Sequence, residues 1–261
     1  MARRDDVMST SAARSLDGEQ LADLIMRLLL DGRLRERLAA DGAAAVAADA
    51  GELECLETID LDELDAAARR FRSTIWRLGA GGSLASAFPR SVSALVAAGI
   101  GDAELLDGFL GSPRFSRFRL VPYSGAGVSV EEAFAAFLLD LTEERVADAA
   151  ILRETVDHEL MIALFAALAC EQPLSFVIES EGIVETGRGH AALRRYAPAS
   201  LTSWGEATPG TGQASVPYAY FATPAGVTRG VISERVATAF AAEPTAESDA
   251  ARRALSRRGL W

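Results

Sequence analysis

Two histidines occur in the 261 residues, and each sits where chemistry could begin. His158 lies between two acids in the run Thr155-Val156-Asp157-His158-Glu159. An imidazole flanked by carboxylates can accept a proton or ligate a metal. A zinc-protease helix would need a second histidine four residues on, and Ile162 stands there. His158 is offset from the stripe Leu152, Val156, Leu160, Leu164 and Leu168, so it is expected on a helix flank, partly exposed. Its functional reading is a contact in a site completed by another protein. His190 follows Gly187-Arg188-Gly189, a G-x-G that lacks the preceding strand and the βαβ setting of a phosphate loop. All 26 basic residues are arginine, which excludes Schiff-base lysine chemistry and the P-loop lysine. Cys55 and Cys170 form no C-x-x-C pair, and free thiols suit a reducing compartment. The sequence holds no G-x-S-x-G elbow. No catalytic residue and no metal site are assigned on this chain.

Charge narrows the partners. The net charge of −11 opposes nonspecific attraction to nucleic acid or to anionic membranes. Residues 17–65 hold fourteen acids and four arginines, nearly the whole imbalance. That stretch is either a solvated helical surface or a docking face for a basic partner. The apolar run from Leu160 to Cys170 is too short to span a bilayer. Residues 207–228 lack charge but carry Pro209, Pro217 and Pro224. The first fifteen residues have no apolar core of a secretory signal, so a cytoplasmic location is expected.

The elements that would position these residues are mainly helical. Asp17 and Gln20 form a capping box ahead of Leu21, Leu24, Ile25, Leu28 and Leu29. Asp60 and Glu63 open a helix carrying Leu61, Leu64, Ala68, Phe71, Ile75 and Leu78. Residues 83–110 read as two short helices around Phe88-Pro89. Ser129 and Glu132 cap a further helix, and Thr142 is expected to cap the long one that holds His158. Glu143-Glu144 and Asp62-Glu63 fall in first turns, where the helix dipole explains them. Ser233 caps a short last helix.

After Pro173 the pattern changes. Residues 174–178 (LSFVI) read as a buried strand, with Ile183–Thr186 as its candidate partner; His190–Tyr196 reads as a short helix. Tyr218–Ala222 and Val227–Ile232, joined by a T-P-A-G turn, read as a β-hairpin. The fold class is therefore mainly α with a small C-terminal α+β part: a helical bundle followed by a small antiparallel sheet. The expected organisation is a leader (1–14), an acidic helical segment (15–78), a helical bundle (79–172), a small α+β module (173–242) and a frayed tail (243–261). Phe176, Ile178, Tyr218, Tyr220 and Phe221 are the candidate peptide-binding residues, on strands that could lie at a sheet edge and accept an extended peptide. Strand, turn, strand and helix could also form part of a winged-helix-like DNA-binding module, although the acidic balance argues against it.

Three stretches together resemble one family. They are LRERLAADGAAAVAADAGELECLETIDLDELDAAARRFR, LASAFPRSVSALVAAGI and FLGSPRFSRFRLVPYSGAGVSVEEAFAAFLLDL, within roughly residues 33–141. They resemble the partner proteins of multinuclear non-heme iron oxidative enzymes that modify ribosomally made precursor peptides, as in methanobactin biosynthesis. The resemblance implies a non-catalytic subunit that binds a TIM-barrel iron enzyme and helps hold the leader of the precursor, commonly through a C-terminal part with strands. The iron would sit on the partner, and this chain would carry no cofactor. The competing expectations are an enzyme of unknown class using His158 and a transcriptional regulator.

Overall fold

The computed structural model describes residues 16–77, 84–115, 129–146, 149–170, 178, 180–206 and 213–261, with backbone only at 72–77. It divides into two compact units, Met1–Ile75 and Trp76–Trp261.

In the first unit α1 (Gly18–Leu30), α2 (Gly32–Asp41), α3 (Ala50–Glu57) and the start of α4 (Leu61–Arg77) follow each other closely. Each of the four begins on an aspartate. Asp17, Asp31, Asp49 and Asp60 accept first-turn N–H groups, which explains part of the local acidity without any ligand. Leu24, Leu28, Leu38 and Leu56 form the core, with Leu34, Val46, Ile59 and Leu64 packed against them. Arg27 bridges Asp23 and Glu52. Arg35 reaches Asp65 at 3.1 Å and caps α1 through the Leu28 and Leu29 carbonyls.

The second unit is mainly helical with a four-stranded antiparallel sheet. Its helices are α5 (Leu84–Ala87), α6 (Pro89–Ala97), α7 (Asp102–Leu110), α8 (Val130–Arg145) and α9 (Ala150–Leu168). Phe134 on α8 packs edge-on against Phe88 and Phe109, with ring centroids 5.4 and 4.9 Å apart, and Phe115 closes on Phe109. These phenylalanines, with buried Leu84, Leu105 and Leu138, are the packing residues of the helical part.

The sheet is a meander, β1 (Ile183–Thr186), β2 (Gly189–Tyr196), β3 (Val216–Thr223) and β4 (Gly226–Val231), in that spatial order. The short helix α10 (Pro198–Ser203) bridges β2 and β3; α11 (Glu234–Ala237) and α12 (Ala246–Ser256) follow β4. Side chains of β3 alternate between two layers. Tyr218, Tyr220 and Ala222 meet Met161 and Phe165 of α9. Ala219 and Phe221 meet Ala239, Ala251 and Leu255 on the C-terminal helical side. Covered on both faces, β3 is buried throughout.

Several expectations are corrected. Residues 190–196 are strand β2, because pairing with β1 and β3 overrides the helical preference of Ala, Leu and Arg. Gly189 starts that strand at φ +140°, and a Cβ there would collide with the Ala222 carbonyl oxygen. The glycine thus serves a close backbone approach, which accounts for the G-x-G without a phosphate. Ile183–Thr186 pairs with β2. Residues 174–177, Phe176 included, lie outside the described residues; Ile178 is half-buried and in no strand. Thr142 lies within α8, which runs on to Arg145. Three helices, not two, occupy 84–110. Residues 246–256 form α12, which buries Ala251 and Leu255 where a frayed tail was expected. The side chains of Ile75 and Leu78 lie outside the described residues. No helix among the described residues is long and apolar enough to cross a membrane.

Candidate functional site

Helix α9 is buried on more than one side, and its polar side chains each find a distant partner. Glu154 accepts from the Ala197 N–H at 2.9 Å, at the start of α10. Glu159 accepts from the backbone N–H of Arg90 (2.8 Å) and Ser91 (3.1 Å) and from the Ser91 hydroxyl (2.7 Å). It thereby caps α6, whose own N-cap residue Phe88 offers no side-chain acceptor. Burial raises the Glu159 pKa, and the three donors from Arg90 and Ser91 oppose that rise.

His158 faces the sheet. It is 4% exposed, against the partly exposed flank position its spacing suggested. Its ring stacks on Trp204 at 4.2 Å with 6° between the planes. The Trp204 indole N–H in turn donates to the Thr155 hydroxyl at 3.0 Å. Nδ1 of His158 lies 2.5 Å from the Tyr220 hydroxyl, which lies 2.9 Å from the Tyr196 hydroxyl. Tyr196 donates to Asp157 at 2.6 Å, and Arg194 pairs with the same carboxylate at 3.4 Å.

The direction of this chain fixes the histidine tautomer. A phenol has one proton, and that of Tyr196 goes to the Asp157 carboxylate, which can only accept. Tyr220 must then donate to Tyr196. The remaining Tyr220 lone pair accepts from His158, so Nδ1 carries the proton and Nε2 is bare. Burial, followed by the charges of Arg229 and Arg90, lowers the His158 pKa to about 4. The imidazole is neutral at pH 7. Burial likewise raises the pKa of Tyr196 and Tyr220 far above the usual phenol value, and burial with the Glu206 carboxylate pushes Tyr218 up to about 12. Three tyrosines, Trp204 and His158 therefore form one neutral cluster that ties α9 to the sheet.

Tyr218, Tyr220 and Phe221 are brought together on one strand, but β3 lies between β2 and β4 and cannot be an edge. A peptide has no access to its backbone groups. The edge next to the hairpin is β4. The Ile232 N–H donates to the Pro217 carbonyl at 3.0 Å, so these two form a hydrogen-bonded pair. Antiparallel alternation makes Ala219/Gly230, Phe221/Thr228 and Thr223/Gly226 bonded pairs as well. The N–H and C=O groups of Val227, Arg229 and Val231 consequently point outward. Among the described residues no strand pairs with that rim. Val227 and Val231 pack along the α9 side of the sheet, and Arg229 is exposed.

Sequence reasoning missed Tyr196, Asp157 and Trp204 as members of the cluster. The available signal was Gly187-Arg188-Gly189 between two short runs, a hairpin pattern that would have placed Tyr196 on a strand. Among the described residues no group of three or more His, Cys, Asp or Glu side chains could hold a metal ion. Comparison with known proteins finds no matching family model, no matching curated protein and no matching solved structure.

Proposed function

We propose that this chain is a cytoplasmic, non-catalytic partner subunit that binds a multinuclear non-heme iron oxidative enzyme and recruits the leader of a ribosomally made precursor peptide, which adds as a strand to β4. The observation that carries this reading is the β4 rim, which no strand pairs among the described residues, with outward backbone groups at Val227, Arg229 and Val231 and an apolar flank beside them. Main-chain hydrogen bonds at such a rim give affinity, and alternate side chains give selectivity. The resemblance over residues 33–141 supplies the enzyme class. In this reading iron belongs to the partner. His158 holds the sheet against α9, because its Nδ1 is committed to Tyr220 and its ring to Trp204.

Co-expression with a multinuclear non-heme iron enzyme and a precursor peptide, followed by size exclusion, tests the whole reading. Co-elution of all three is expected, and separate elution with the peptide present would end it. Arg229→Pro tests the rim specifically. It deletes an outward N–H and leaves the β3 ladder intact, so peptide affinity should fall at least tenfold in a protein that stays folded by circular dichroism; Arg229→Ala, which loses the same side chain beside Tyr218 but keeps the N–H, should retain peptide affinity. Thr228→Pro, which removes a ladder N–H, should instead destabilise the fold.

A further inference from the structure

A pocket of ≈ 370 Å³ opens where α6, the start of α9 and the end of α10 meet. That volume suits a small organic molecule. Its walls are mainly apolar, from Ala94, Val146, Ile151, Leu152 and Trp204, with Thr155 and Ser203 also in the lining. Ile151 in that wall is 42% exposed. One cation stands in the lining, Arg90.

Arg90 is held in place without a carboxylate. Its Nη1 donates to the Ser203 carbonyl at 3.0 Å and its Nη2 to the Trp204 carbonyl at 3.1 Å. A guanidinium has five N–H donors, so three remain. Glu159 feels the Arg90 charge, but its oxygens are taken by the α6 N–H groups and the Ser91 hydroxyl. Arg90 thus forms no ion pair with a described residue. An exposed, planar cation tethered by two carbonyls in the lining of a mainly apolar pocket keeps three N–H groups with which to take a carboxylate.

We propose that this pocket binds a small carboxylic acid with an apolar tail, its carboxylate on Arg90 and its tail between Ile151, Leu152 and Trp204. The site is distinct from the β4 rim and does not depend on peptide recruitment. Selectivity comes from the charge at one end, since the apolar walls accept any tail of the right size.

Isothermal titration of the full chain with 3-phenylpropionate and with 3-phenylpropionamide tests this. The two probes share a tail and differ in charge. The acid should bind at least tenfold more tightly than the amide. Ile151→Glu sets a carboxylate beside the bound one at an exposed position, and should weaken the acid at least tenfold without moving the unfolding midpoint. Arg90→Gln should erase the preference for acid over amide, with circular dichroism checking that the helices persist. No binding of the acid, equal binding of acid and amide, or unchanged acid binding in Ile151→Glu would each overturn the assignment.

Discussion

Replacing His158 with Gln should flatten the acid limb of the stability curve. In the unfolded chain the imidazole titrates near 6.5, and in the folded protein near 4. Between those values the unfolded chain binds a proton that the native state refuses. Stability therefore rises with pH through the window and is lost as pH falls. At ~1.36 kcal/mol per pH unit, His158 alone removes about 2 kcal/mol by pH 5 and about 3 kcal/mol by pH 4. Urea unfolding of wild type and His158→Gln at pH 7.5, 6, 5 and 4 measures it. Carboxylates titrate in both proteins and cancel in the difference. His158→Gln should start out less stable, since it loses the stack on Trp204, and the gap should close by about 3 kcal/mol on acidification. With only two imidazoles in the chain, NMR can follow each directly. Parallel stability curves, a His158 midpoint near 6.5, or a proton found on Nε2 would refute the buried-network argument.

Tyr220→Phe leaves the His158 Nδ1–H without its acceptor and Tyr196 without its donor, in a site that water does not reach; a loss of about 2–4 kcal/mol is expected in urea unfolding. Glu159→Ala uncaps α6 and strands the Ser91 hydroxyl, and should cost about 3 kcal/mol, read as a lowered thermal midpoint by circular dichroism. Gly189→Ala forces a Cβ against the Ala222 carbonyl at a φ that L-residues avoid. It should cost upwards of about 3 kcal/mol and sharply reduce soluble yield.

Helix starts were legible in the sequence because capping is local. Asp17 with Gln20 and Ser129 with Glu132 sit three residues apart, and the structure forms both capping boxes. The β3–β4 hairpin was legible for the same reason, with Pro224 and Ala225 filling a two-residue turn between alternating runs. What failed depended on distance. The run HAALRRY carries good helix formers, and only β1 and β3 make it a strand. Once β2 is hidden, nothing local says whether Tyr218 and Tyr220 are central or at an edge. One apolar stripe does not locate His158, because α9 has a second buried face. The second buried face is built from Thr155, His158, Glu159 and Met161, whose polar members are admissible there only because Trp204, Tyr220 and the α6 N–H groups meet them. Those partners lie 49 or more residues away in sequence.

Residues 154–159 form little more than one and a half turns of α9, yet their polar side chains reach α6, α10 and the sheet. Each belongs to a pair or chain whose other end is fixed elsewhere. Drift at this turn is therefore constrained to coordinated exchange: a new residue at 155, 157, 158 or 159 survives only beside a matching change at 204, 196, 220 or 91, whereas Glu154 meets a backbone N–H that any residue but proline supplies at 197. Related chains should keep these positions as sets, swapped together or held together, while the solvent-facing Ala166 varies alone.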